Sequence, residues 1–286
     1  MSDVLTRANT AIVTDSTADP PADWFARDDL RIVPLKVHFG DETYRDGYDL
    51  TPEQFFAKLA ASPVLPTTSQ PSVSEFETVY RELRERYEHV FSVHITHLMS
   101  GTCEAARAAA ERVPGVEVFD SGNVTTTIAL EVVRLWARLD RGAPIEELRD
   151  YCRHFESNSR LLIHAATLEY LRRGGRIDRA QSMIGDVFGI RPLVETYQGH
   201  LNAYAKVRGE RRTMEAMVGY LEKYSRPDDE VHLSLTHASN PEPMKALGQA
   251  LLATRPNAVI DVVGAVAAVV GTHIGPGAIA FGMIVE

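Results

Sequence analysis

Three short stretches hold the residues of this 286-residue chain whose types and spacing could do chemistry. "PTTSQPSVSEF", residues 66–76, sets Thr67, Thr68, Ser69, Ser72 and Ser74 among two prolines. "LMSGT", residues 98–102, puts Ser100, Gly101 and Thr102 between a strand-like run and the alanine-rich "CEAARAAAERV". "VVGTHIGPGA", residues 269–278, sets His273 among glycines that let a backbone approach a ligand closely. Hydroxyls, backbone N–H groups at a helix start and an imidazole N–H can satisfy an anion's lone pairs without a cationic side chain. Each stretch also has a plainer reading. Ser100 or Thr102 serves equally well as a helix cap, and a lone histidine is more often a hydrogen-bonded structural residue.

Two basic clusters divide the same way. "LRRGGRI", residues 171–177, contains Arg176, and "VRGERR", residues 207–212, contains Arg208. A basic helix end closed by glycine explains the first, and a patch for a phosphate or an acidic partner explains either. "IVTDSTAD", residues 12–19, and "VFDSGN", residues 118–123, read as strand ends with turn-forming and capping Asp and Ser.

Positioning these stretches requires an alternating scaffold. "AIVTDS", "LRIVPLKVHF", "HVFSVHIT" and "VEVFDS" read as strands with helices between most of them, the pattern of an α/β layer with a mostly parallel sheet. Ligands in such sheets sit at the strands' C-terminal ends. Thr51-Pro52-Glu53-Gln54 and Ser72-Val73-Ser74-Glu75 are capping boxes, so Ser72 starts a helix and leaves Thr67, Thr68 and Ser69 free for other work. Helices follow over "NVTTTIALEVVRLWARL" and "PIEELRDYCRHFES", and the pattern restarts with the strand "RLLIHAA". Beyond it the sequence predicts a helix through "AQSMIGDVFG" and a hairpin in "LVETYQGHLNAYAKV" turning at Gln198-Gly199-His200. After another helix come the strands "VHLSLTHA" and "AVIDVVGA", and a buried glycine-rich C-terminal pair. The expected organisation is two α/β domains, 1–157 with a mostly parallel sheet and 158–286 with a mixed sheet.

Composition narrows the function. Thirty-nine acidic against 30 basic residues give a net charge of -9, which argues against a broad nucleic-acid face. Cys103 and Cys152 stand alone, with no zinc-binding spacing, and suit a reducing cytoplasm. The first residues lack the apolar segment of a secretion signal, and the apolar C-terminal stretch is broken by Asp261 and His273, a poor membrane span.

Taken in order, "VTDSTAD", "VPLKVHFGDETYRDGYDLTPEQFF", "PTTSQPS", "MSGT", "VFDS", "LEYLRRGGRI" and "GTHIGPGAIA" make the chain resemble the DegV family of bacterial fatty-acid-binding proteins across nearly its whole length. The resemblance implies two α/β domains enclosing a long-chain fatty acid, no cofactor beyond that ligand, no metal, and at most transient membrane contact. It also implies a carrier that presents the carboxylate to a separate fatty acid kinase, which makes an acyl phosphate. By motif, Thr68, Ser100 and His273 would hold the carboxylate, with Ser69, Gly101 and Thr102 beside them. Arg176 and Arg208 would face the kinase or the phosphoryl group. The segment "THLMSGT" departs from the family pattern at His97 and Met99, where His97 could add a donor or narrow the tunnel mouth.

Two rivals remain from the residues themselves. A serine esterase would use Ser100 as nucleophile and His273 as base, although "LMSGT" lacks the G-x-S-x-G elbow. A lipid sensor would bind the same ligand and hand it to no kinase.

Overall fold

The structure, a computed structural model, describes residues 4–183 and 190–286. In chain order the first part comprises β1 (Val4–Leu5), β2 (Thr10–Asp15), β3 (Leu30–Val33), β4 (Lys36–Phe39), β5 (Glu42–Arg45), α1 (Pro52–Ala61), β6 (Thr67–Ser69) and α2 (Val73–Arg84). It continues with β7 (His89–His94), α3 (Thr102–Ala110), β8 (Val116–Asp120), α4 (Thr126–Asp140), β9 (Ala143–Pro144) and α5 (Ile145–Asn158). The second part comprises β10 (Ser159–His164), α6 (Glu169–Arg173), β11 (Ile190–Tyr197), β12 (His200–Arg208), α7 (Glu210–Tyr224), β13 (Val231–His237), α8 (Glu242–Thr254), β14 (Val259–Ala265), α9 (Ala268–Ile274) and β15 (Ile279–Val285).

Strand order β3-β2-β7-β8, parallel throughout, forms the N-terminal sheet. Every residue of β2 is buried, as expected of a strand covered on both faces. The C-terminal sheet is mixed, in the order β12-β11-β10-β15-β13-β14, with only β13 and β14 parallel. Gln198 and Gly199 both have positive φ, 51° and 70°, which is the primed turn that the hairpin sequence predicts. The two capping boxes form, Thr51 with Gln54 and Ser72 with Glu75.

Two features differ from the sequence reading. The single strand expected over "LRIVPLKVHF" is two strands in two sheets, β3 in the parallel sheet and β4 in an antiparallel sheet with β5 and β6. Pro34 stands between them, without an N–H to continue a ladder, and the Leu35 N–H donates instead to Ser16 Oγ at 3.0 Å. The small sheet so created carries Thr68 on β6, opposite Val37. Secondly, the helix expected through "AQSMIGDVFG" is a 3-10 helix over Asp178–Met183, and its remainder lies outside the described residues.

The largest apolar core draws on both parts, from Leu5, Ile12 and Phe55 to Ile163, Val266 and Ala280. Helix α4 packs on β2 and β7 on one side and on β13, β14 and β15 on the other. Short helix α9 contacts α1, β4, β6 and α6. The chain's last helix is thereby set against the small sheet that bears Thr68.

Candidate functional site

A cavity of about 290 Å³ lies between the two parts. Leu35, Ile95 and Val124 contribute apolar wall from the first part, and Ile163, Leu201 and Ile279 from the second. Helix α9 runs along it, giving Val269, Val270, His273 and Ile274, with Val266 just ahead of the helix. The cavity is at the small end of the range for organic ligands, about 300–1,000 Å³, and its mixture of dry wall with a few polar groups is typical of such sites.

Polar groups concentrate at the C-terminal end of α9. Thr68, Ser69, Gln70, Ser100, Arg176 and His273 all line the cavity, so five of the residues expected from sequence meet there. Thr68 Oγ1 is 3.0 Å from His273 Nε2. Burial, then the nearby Arg176 guanidinium, pushes the His273 pKa down to about 4, so the ring is neutral at pH 7. His273 Nδ1 is buried without a hydrogen-bond partner, pressed toward Gly174, where a Cβ would lie 2.2 Å from it. A buried N–H left unpaired costs more than an unpaired acceptor, which assigns the proton to Nε2. The Nε2–H then donates to Thr68 Oγ1, and the threonine's own hydrogen is free to donate to a ligand.

The Ser100 loop supplies the opposite side. Ser100 Oγ is 2.8 Å from Thr102 Oγ1, and the fully buried Thr102 begins α3. Gly101 lets the Gln70 side chain lie against this loop: a Cβ there would be 2.2 Å from Gln70 Oε1, and the glutamine would have to swing aside. Arg176 Nε donates to Met99 O at 3.2 Å and Nη1 to Gly174 O at 2.8 Å, so the "GGRI" turn is tied to the "MSGT" loop. Of the two departures from the family pattern, Met99 lines the cavity.

His97, Gly101, Thr102 and Arg208 are not among the cavity's lining residues. His97 turns to Asp120, with Nδ1 2.6 Å from Oδ2 and the side chain 55% exposed, so it neither adds a donor at the head group nor narrows the cavity. Arg208 is exposed at the end of β12. Ser69 lines the cavity while its hydroxyl lies 2.9 Å from His38 Nε2.

Sequence reading missed a buried chain of groups under this site. Tyr80 OH meets Ser92 Oγ at 2.8 Å, Ser92 Oγ meets His94 Nε2 at 2.7 Å, and His94 Nδ1 meets Asp15 Oδ2 at 3.0 Å. This is a Ser-His-Asp geometry sealed inside the parallel sheet, all three side chains at 0% exposure, with no access for a substrate. Asp15 also caps the next turn by accepting from Thr17 N at 3.0 Å, as its sequence position predicts. The esterase pairing does not form: Ser100 is engaged with Thr102, and His273 with Thr68.

Sequence reading also missed the N-terminal end of α9. Ala267 N donates to Asp19 Oδ1 at 2.8 Å, and Asp46 Oδ1 accepts from Ala268 N at 2.7 Å and Val269 N at 3.3 Å. Both carboxyl groups are fully buried, and burial raises both pKa values, that of Asp46 to about 6. Thr17, Thr125 and Thr236 line the cavity at this end. Thr125 adopts φ 58°, an outlier for a β-branched residue, and that was not legible from its type.

Comparison with known proteins follows the same architecture. A fatty-acid-binding DegV family protein from Thermus thermophilus, whose structure is solved, is 32% identical, with a TM-score of 0.91 over 97% of this chain and 100% of that one. DegV of Bacillus subtilis, described as a fatty acid binding protein, is 27% identical, with a TM-score of 0.87 over 98% and 100%. A Thermotoga maritima relative named fatty acid-binding protein is 28% identical over 279 residues, 95% of this chain and 96% of its own. The family model described as "Uncharacterised protein, DegV family" matches residues 9–286. With this match over almost the whole sequence, and the same fold in the solved relatives, the chain belongs to the DegV family.

Proposed function

We propose that this protein binds a long-chain fatty acid, with its carboxylate at the C-terminal end of α9 and its tail along the apolar wall. The observation that carries this reading is the Thr68–His273 pair at 3.0 Å, set at one end of a cavity whose other walls are mainly aliphatic. Thr68 donates to the carboxylate, and the neutral imidazole behind it fixes the direction of that hydrogen. Ser100 and Gln70 supply further donors, and Arg176 stands at the mouth as the nearest cation. Each buried methylene stabilises the complex by roughly 0.8 kcal/mol, so affinity comes from the tail and orientation from the head group.

The reading extends to a carrier role, in which a separate fatty acid kinase phosphorylates the bound carboxylate. Exposed Arg176 beside the head group supports it, being able to meet a phosphoryl group as it forms. No helix among the described residues is long and apolar enough to cross a membrane.

Organic extraction and mass spectrometry of protein purified without added lipid test the binding. A stoichiometric fatty acid, depleted in a Thr68→Val, Ser100→Ala variant, is expected. Protein that comes empty and takes up no added fatty acid would refute the reading. Incubation with ATP and a cognate kinase tests the carrier role, for which acyl phosphate is the expected product and its absence favours a sensor.

A further inference from the structure

The two ends of α9 offer a ligand opposite hydrogen-bonding characters. A helix N-terminus beside a cavity ordinarily attracts an anion through its free N–H groups. Here the N–H groups of Ala267, Ala268 and Val269 are already taken by Asp19 and Asp46. Three threonines line the cavity at this end, and two of them give their single hydroxyl hydrogen to an acceptor that keeps it. Thr17 donates to Asp15 Oδ1 and Thr236 to Gly264 O at 3.3 Å, while Thr125 pairs with Asp19 Oδ2 at 2.6 Å. A carbonyl oxygen cannot return a hydrogen, and Asp15 Oδ1 also receives the Thr17 N–H. What remains for a ligand is methyl surface and oxygen lone pairs.

Thr125 and Thr236 belong to one knot. Asp19 joins Thr125 to Ala267, and the Asp19 carbonyl leaves no room for a side chain at Gly264, the residue that holds Thr236. Thr125 keeps a positive-φ backbone, φ 58° and ψ -154°, that costs about 1–3 kcal/mol, in an arrangement that brings its hydroxyl to Asp19. From Ala267 to His273 the helix rises roughly 9 Å at 1.5 Å per residue, so the knot and the proposed head-group site are well separated.

We infer that the cavity beneath the N-terminus of α9 is an acceptor subsite that excludes a carboxylate and recognises a hydrogen-bond donor on the acyl chain, so the protein accommodates a hydroxy fatty acid whose hydroxyl donates to Thr236. The inference rests on the fatty-acid reading of the cavity and adds a ligand class to it. A ketone at the same carbon presents only an acceptor to acceptors and is rejected. A plain methylene is tolerated, because the threonine methyl groups and Val266 offer it apolar surface.

The test is competitive binding of stearic acid, a series of hydroxystearic acids with the hydroxyl stepped along the chain, and the matching oxostearic acids. One position, or two adjacent ones, binds at least as tightly as stearic acid and at least tenfold more tightly than its oxo counterpart. Other positions fall tenfold or more below stearic acid, as expected for a hydroxyl buried without a partner. Thr236→Val removes the hydroxy-over-oxo preference and Thr236→Ser keeps it. A flat profile, with every hydroxy acid weaker than stearic acid and equal to its oxo partner, overturns the subsite while leaving fatty acid binding intact. Failure of stearic acid itself to bind overturns the underlying reading instead.

Discussion

Helix α9 places a carboxyl group at its start and, on our reading, another at its finish, and the two ends treat that group in opposite ways. At the start the carboxylates are the protein's own, Asp19 and Asp46, buried and held by backbone N–H groups. At the finish a neutral histidine and a threonine await one from outside. The same burial drives both, raising the acids and lowering the imidazole. A dry wall suited to an acyl tail therefore imposes neutral partners at the head and strained acids at the other end. The ends can be altered separately, and their responses should differ in kind.

The largest effect is expected at the head group. Thr68→Val with Ser100→Ala removes two hydrogen bonds to a charged ligand, each worth about 1.5–3 kcal/mol, so affinity in a fatty acid titration should fall at least ~100-fold. Circular dichroism melting should change little by comparison.

At the opposite end the expected effect is on stability. Asp46 takes a proton near pH 6 when folded and near 4 when unfolded, so the folded state binds it first and stability rises as pH falls through that window. Above pH 6 the buried charge costs roughly 3 kcal/mol. Asp46→Asn keeps an acceptor for Ala268 and should be more stable than the parent at pH 8 in urea unfolding, with the gap closing toward pH 4.

His273 has the reverse sign. It stays neutral in the free protein down to about pH 4, whereas an unfolded histidine protonates near pH 6.5, so its contribution to stability is lost as pH falls between those values. An imidazolium would place an Nδ1–H where no partner stands, so the ring stays neutral in the complex and binding near pH 7 should take up no proton. Calorimetry in buffers of different ionisation enthalpy reads any uptake, and a binding heat that varies with the buffer would contradict the neutral head-group site.

The smallest effect marks the boundary of the site. His97→Ala removes an exposed pair with Asp120 and should leave affinity within about twofold, at a stability cost of ~1 kcal/mol or less. A large loss of affinity would enlarge the site beyond the cavity described.

Much of this was legible in the sequence. The parallel and mixed sheets, the capping boxes at Thr51 and Ser72, and the hairpin turn at Gly199 follow from local chemistry that a chain carries in its own order. The meeting of Thr68, Ser100, Arg176 and His273 was legible through motif resemblance. The small sheet was hidden, because Pro34 divides an apolar run that alternation alone reads as one strand. Asp46 was hidden too, since its partners Ala268 and Val269 lie more than two hundred residues away and contribute only backbone. The sealed Ser92-His94-Asp15 chain escaped for the same reason: two strands supply it, and neither stretch is unusual alone.

A crystal structure with a fatty acid brominated at its tail would test the central claim most directly, because the anomalous signal fixes the polarity of the ligand along α9. The account predicts the carboxylate within hydrogen-bonding distance of Thr68 Oγ1, with bromine away from Thr68 and His273. Bromine beside His273, with the carboxylate toward Ala267, would contradict it.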